Sequence, residues 1–300
     1  MNPSAQSRLA TVLLVVLTAV WGSTFFLIRD LIEHVPPVDF LALRFSIAAV
    51  VMVVVFWRPL RALTRPQVLV GVGLGVLYGL AQILQTQGLA TTPASVSGFI
   101  TGIYVVLTPV FTALLLRERV PGSTWAAALI ATAGLALLSL NGFSVGVGES
   151  LTLLAAALYA LHIVGLGRYS ANTIATGLSV VQMIVIALLA VLGALPSGIT
   201  LPSTPAHWAS VLYMVVFASI AALWVQTWAQ SHMSGTRAAI VMTLEPVFAA
   251  SFAVTLGSES PTWRMLAGGA LVLAAMYAVE LLGRRKPGEL PAEVLHHEVS

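Results

Sequence analysis

The chain has 300 residues, of which 58% are apolar and only 8% charged. Its 14 basic and 11 acidic side chains cannot clothe a soluble globule of this length, because soluble domains carry roughly 25% charged residues. The net charge of +3 is therefore no nucleic-acid footprint, and the lack of cysteine removes disulfides, thiolate metal sites and cysteine nucleophiles.

A bilayer core of about 30 Å takes roughly 20 apolar residues per helical crossing. Ten such stretches are predicted, at 9–28, 38–57, 67–88, 94–116, 123–140, 149–169, 173–194, 206–231, 236–257 and 262–283. The first has a longer apolar core than a signal peptide and lacks a small-residue cleavage site, so it is expected to be retained. Turn chemistry separates the stretches: Pro36-Pro37, Arg58-Pro59, Thr92-Pro93, Val120-Pro121-Gly122, Asn141-Gly142, Pro196-Ser197-Gly198 and Ser260-Pro261. The connections are too short to hold a soluble domain. The segment 284–300 reads as a polar, frayed tail.

Basic residues set the expected orientation. With the N-terminus in the cytoplasm, Arg8, Arg58, Arg61, Arg65, Arg117, Arg119, Arg168, Arg237, Arg284, Arg285 and Lys286 fall on the cytoplasmic side. Only Arg29 and Arg264 fall on the other, and Arg44 lies within the second helix. An even number of crossings returns the C-terminus to the cytoplasm of a bacterial-type inner membrane.

The chain also reads as a duplication. Leu107-Thr108-Pro109-Val110-Phe111 is echoed 137 residues later by Leu244-Glu245-Pro246-Val247-Phe248, and Ala19-Val20-Trp21-Gly22 is echoed 138 residues later by Ala157-Leu158-Tyr159-Ala160. Glu118 and Glu259 each follow a helix and precede a proline. The expected organisation is a first five-helix repeat over 1–141, a linker at 142–148 and a second repeat over 149–283. Five is odd, so the second repeat is expected upside down relative to the first. The fold class is then all-α and integral to the membrane: ten transmembrane helices as two inverted five-helix repeats around a central cavity, with the site near the midplane.

Trp21-Gly22-Ser23-Thr24-Phe25, the Arg44 position, Pro109 and Glu118 resemble the drug/metabolite transporter superfamily, and within it the EamA branch. Leu244-Glu245-Pro246-Val247-Phe248 and Glu259 repeat the pattern. The resemblance implies ten helices in two inverted repeats and export of amino acids or related metabolites. Within that branch the chain resembles the YddG-type exporters of aromatic amino acids. Two positions depart from strict symmetry, because Tyr159 stands opposite Trp21 and Gln182 opposite Arg44.

Intramembrane polar residues cost free energy unless they face protein or water. Gly71, Gly75, Tyr78, Gln82 and Gln85 share one face of the third predicted helix, and Ser97, Thr101, Tyr104 and Thr108 one face of the fourth. Such stripes either line a cavity or hold helices together through small residues and hydrogen bonds. The glycines favour packing. Tyr78, Gln82, Gln85, Thr101 and Tyr104 are candidates for cavity lining. Pro109 and Pro246 each remove an N–H inside a predicted helix, so each reads as a hinge or as a static kink. Glu245, just before Pro246, is a candidate to bind a substrate ammonium, to carry a proton or to brace the kink. Arg44 could pair with a carboxylate, including one on a substrate, but its place near a helix end favours a structural salt bridge or a snorkelling side chain. His162, one turn from Tyr159, either lines the cavity, where it could relay protons, or makes a buried polar contact. Trp224 and Trp228 are four residues apart, and their indoles suit stacking on an aromatic or cationic substrate if they face inward.

Rival functions have thinner support. There is no HExxH motif, and the only lysine, Lys286, has no glycine-rich run before it. His296-His297-Glu298 offers too few ligands for a metal site, and no cofactor is expected. Ser97-Gly98 with His162 could mimic an intramembrane serine protease, a reading that requires a Ser97–His162 hydrogen bond. A channel or a non-transporting scaffold is the other alternative. The expected partners are a small-molecule substrate and the bilayer. Two packed repeats can enclose a site within one chain, so a monomer suffices.

Overall fold

The structure is a computed structural model that describes residues 3–92, 94–139, 146–196, 198–255 and 262–282. Every regular element among them is helical. In chain order they are α1 (Pro3–Ile32), α2 (Pro37–Val55), α3 (Trp57–Arg61), α4 (Arg65–Leu89), α5 (Ala94–Gly102), α6 (Tyr104–Leu115), α7 (Gly122–Ser139), α8 (Val147–Tyr169), α9 (Ala175–Ala194), α10 (Pro205–Tyr213), α11 (Ala222–Gln230), α12 (Gly235–Met242), α13 (Leu244–Thr255) and α14 (Trp263–Leu282). A π-helical segment, Met214–Ala221, joins α10 to α11. Glu259, Pro93 and the tail 284–300 lie outside the described residues.

Six helical stretches are long and apolar enough to cross a membrane: Gln6–Thr24, Pro37–Val55, Arg65–Leu89, Val147–Tyr169, Ala175–Ala194 and Pro205–Gln230. Their outward residues are aliphatic. Val12 and Val16, Val50 and Val54, and Leu188 and Leu192 are exposed at intervals of four, the spacing of one helix face. Water would penalise such faces and lipid accepts them.

Local chemistry fixes the helix starts. Thr64 and Gln67 form a capping box at α4, the Thr64 N–H donating to Gln67 Oε1 at 2.9 Å. Proline occupies the first turn of α2, α4 and α10, where its missing N–H costs nothing. Ser234 caps α12 by accepting from the Arg237 N–H. Glu118 is exposed between α6 and α7.

Two predicted helices are each divided. The stretch 94–116 breaks at Ile103, whose N–H donates to Ile100 O at 3.1 Å, and 236–257 breaks at Thr243, whose N–H donates to Ile240 O at 3.2 Å. Both are single tight turns of the three-residue type. Pro246 then falls in the first turn of α13, so it removes no helical hydrogen bond. Pro109 lies inside α6 and leaves the Val105 carbonyl without its usual donor. The breaks therefore precede the prolines, at places the motifs did not mark.

Contacts between the halves come in reciprocal pairs. α1 packs on α13 and α11, and α8 packs on α6 and α4. α9 packs on α4, as α2 packs on the π-helical segment, while α2 meets α9 and α7 meets α14. Small residues permit the closest approaches. A Cβ built at Gly22 would stand 2.8 Å from Ala249 N and from Phe248 Cβ, and one at Gly134 would stand 2.8 Å from Gly268 O. Gly71, Gly75 and Gly79 receive Val181, Val185 and Leu189 of α9 in the same way, so the glycine half of the α4 stripe is a packing seam.

Candidate functional site

The rest of that stripe opens into a cavity. It holds about 740 Å³, including its mouth, and lies between the two halves. α4 contributes Tyr78, Gln82, Gln85 and Thr86, and α5 and α6 contribute Thr101 and Tyr104. From α1 come Trp21, Thr24 and Ile28, from α2 Arg44, from α8 Tyr159 and Ile163, and from the second half's later helices Gln226, Met242 and Glu245.

Of the sequence-derived candidates, Tyr78, Gln82, Gln85, Thr101, Tyr104 and Glu245 line this space. His162, Trp224 and Trp228 do not. His162 is fully buried behind the Tyr78 ring, 5.0 Å between centroids, with its Nε2 at 2.8 Å from Gln182 Oε1. Tyr159, one turn earlier, takes the inward position. Trp224 is 39% exposed on the outer surface, and its indole N–H donates to Thr176 Oγ1 at 2.9 Å. Trp228 packs against His232 with the rings tilted by 39°, 4.5 Å between centroids. Residues 224 and 228 share a helix face, and Gln226 between them lies about 200° round the helix. That is why the glutamine faces the cavity and the indoles face away. Ser97 Oγ is buried without a partner and His162 pairs elsewhere, so the bond that a serine-protease reading requires is absent among the described residues.

A polar clasp crosses the cavity wall. Tyr159 OH on α8 donates to Gln85 Oε1 on α4 at 2.8 Å, and Gln85 Nε2 donates to Thr101 Oγ1 on α5 at 2.9 Å. Both ends of the Gln85 amide are thereby held. Tyr78 and Tyr159 meet edge to face at 5.5 Å between centroids, a favoured aromatic geometry.

Arg44 corrects its sequence reading. It neither snorkels nor joins a carboxylate among the described residues; it is 3% exposed. Its Nε donates to Ser219 Oγ at 2.7 Å and one terminal nitrogen donates to Ala218 O at 2.8 Å. Both acceptors lie in the π-helical segment, and Ser219 Oγ in turn donates to Met214 O, five residues back. The Trp21 indole N–H also donates to Ala218 O, at 3.3 Å. The guanidinium carbon stands 4.9 Å from the Phe45 ring centroid and 5.8 Å from that of Phe40. A guanidinium has five N–H donors, so these two bonds leave others for the cavity.

Glu245 also faces the cavity and has no hydrogen bond or ion pair among the described residues. The cavity thus carries one guanidinium and one carboxyl group that are not joined to each other, between aromatic walls. Sequence reasoning missed Arg44, Trp21, Tyr159 and Gln226 as lining residues. The Trp21–Tyr159 equivalence in the duplication was the available signal for two of them.

Comparison with known proteins gives the following likenesses. The EamA-like transporter family matches residues 9–140 and, a second time, 146–281. A protein of Archaeoglobus fulgidus described as an uncharacterized transporter is 29% identical over 269 residues, which is 89% of this chain and 84% of the relative. A solved crystal structure superposes with a TM-score of 0.78 at 19% identity, over 94% of this chain and 99% of that one. At that identity the likeness is one of fold alone.

Proposed function

The chain belongs to the EamA-like transporter family, and from that premise we propose that it exports amino acids or closely related zwitterions across the inner membrane by alternating access. The coarser statement stands on the family itself: this is a multi-pass membrane transporter with a small-molecule substrate. The observation that carries the finer reading is the pair of unjoined ionisable side chains, Arg44 and Glu245, in one cavity. Arg44 offers donors to a carboxylate, Glu245 offers acceptors to an ammonium, and Trp21, Tyr78, Tyr104 and Tyr159 supply stacking surface for an aromatic side chain.

In the proposed topology ten crossings form two repeats, 1–141 and 149–283, with both termini cytoplasmic. α5 with α6 makes one crossing, α12 with α13 another, and α10, the π-helical segment and α11 a third. The reciprocal contacts support the inverted arrangement. So does the grouping of helix ends. Arg237 at the start of α12 donates to Ser7 and Thr11 near the start of α1. His207 at the start of α10 meets Asp30 near the end of α1 at 3.5 Å. The breaks at Ile103 and Thr243, together with Pro109 and Pro246, are the proposed hinges.

The test is counterflow into proteoliposomes with aromatic, aliphatic and hydroxylated amino acids. Uptake is expected for part of the panel, and no uptake across all three classes sinks the amino-acid reading. Two single variants sharpen it. Gln85→Ala removes the clasp between α4, α5 and α8 and is expected to change substrate preference several-fold, each lost hydrogen bond being worth about 1 kcal/mol. Trp224→Ala, outside the cavity, is expected to leave the order of preference as it is in the same panel.

A further inference from the structure

Gln226 is 2% exposed, lines the cavity, and has a buried Oε1 with no partner. Its amide is not free to turn. Gln226 Nε2 donates to Gln230 Oε1 at 3.3 Å, and Gln230 Nε2 donates to Ile163 O of α8 at 2.9 Å. A backbone carbonyl can only accept. Gln230 must therefore point its NH2 at Ile163 and its oxygen at Gln226. Gln226 must then answer with one N–H of its NH2, which leaves its carbonyl oxygen as the polar atom without a partner. The polarity of the lining at this point is set two residues away by the backbone of another helix.

We infer that Gln226 Oε1 is an acceptor subsite that selects substrates carrying a distal N–H or O–H donor, with Gln230 as its positioning residue. The inference rests on the amino-acid reading above and names a class within it. Gln226 follows Ser219, the Arg44 anchor, by seven residues, about 10 Å along the helix. A ligand whose carboxylate is held at Arg44 therefore meets Gln226 with the far end of its side chain. A buried acceptor left unpaired is costly, so a site of this kind rejects the analogue that lacks the donor more strongly than it rejects a change of shape.

Matched competitors test this in counterflow with the full chain. Tyrosine against 4-fluorophenylalanine, and tryptophan against 3-benzothienylalanine, differ by one O–H or N–H at nearly constant shape. Wild type is expected to prefer the donor-bearing member by at least about tenfold. Gln226→Leu and Gln226→Met are expected to bring the ratio to within about twofold while exchange of the labelled amino acid continues. Gln230→Leu, which frees the Gln226 amide to turn, should narrow the ratio as well; a merely structural role would lower uptake of both members equally. A wild-type ratio near one, or a ratio unmoved in both Gln226 variants, overturns the subsite. Thermal shift of the detergent-purified chain with phenol against fluorobenzene reads the same preference without amino or carboxyl groups. Donor preference there without any counterflow overturns the amino-acid reading alone. Counterflow without donor preference overturns the subsite alone, and the absence of both overturns the two together.

Discussion

Arg44→Met is expected to abolish transport while the unfolding temperature stays within a few degrees of wild type. The two halves of this result have separate causes. On the proposed reading, loss of a charged donor to a substrate carboxylate forfeits about 3 kcal/mol when two hydrogen bonds are involved, or about 100-fold in counterflow rate. Stability is spared because the groups that Arg44 touches keep other partners. Ser219 Oγ still donates to Met214 O, and Ala218 O still accepts from the Trp21 indole. Removing a buried charge that has no carboxylate partner among the described residues also removes its desolvation cost, and apolar replacements of buried charges are often neutral or stabilising. Transport retained in Arg44→Met would show that the substrate carboxylate sits elsewhere. A collapse in unfolding temperature would show that the guanidinium chiefly holds the π-helical turn. Arg44→Lys keeps the charge but cannot reach Ser219 Oγ and Ala218 O with a planar fork, so it should lose most of the rate as well.

Gly22→Val is expected to prevent accumulation of the folded protein. The first added carbon would stand 2.8 Å from Ala249 N and Phe248 Cβ and 2.9 Å from Glu245 O. Two of those neighbours are backbone atoms of α13, which cannot rotate aside as a side chain can. Overpacking of ordinary cores costs about 1–3 kcal/mol, and here whole helices must part. Fluorescence-detected size exclusion after mild solubilisation should show aggregate in place of a monodisperse peak. Gly73→Ala is the matched control, because a Cβ at Gly73 meets nothing within 4 Å. Equal behaviour of the two variants would remove the α1–α13 contact from any role in holding the cavity together.

Much of the fold could be read from the chain because hydropathy and turn chemistry act locally. The starts of α4, α7, α8 and α10 fall within a few residues of the predicted helices, since Pro66, Pro121-Gly122, Gly146 and Pro205 impose their boundaries through their own backbone limits. The breaks at Ile103 and Thr243 escaped notice because neither residue is a breaker. The π-helical segment escaped because nothing in Met214–Ala221 distinguishes it from an apolar α-helix; its widening coincides with Arg44 on another helix. The site divides along the same line. The α4 stripe could be read because a periodic face is a property of one helix. Trp224 and Trp228 misled because spacing shows which residues share a face without showing where that face points. Gln226 depends on Gln230 and Ile163, 67 residues apart, and no window along the chain holds both.

The reciprocal pairing of helices has a consequence for the energetics of the working cycle. In the proposed inverted arrangement, the exchange that carries α1 on α13 into α8 on α6 would also carry one face of the membrane into the other. Under the proposed alternating access, opening the cavity outward would break the counterparts of the contacts broken by opening it inward, and the two open forms would start out nearly equal in free energy. Only departures from symmetry tilt that balance, among them Tyr159 opposite Trp21 and Gln182 opposite Arg44. The protein would then act as a level beam, with vectorial flow supplied by the concentrations on its two sides.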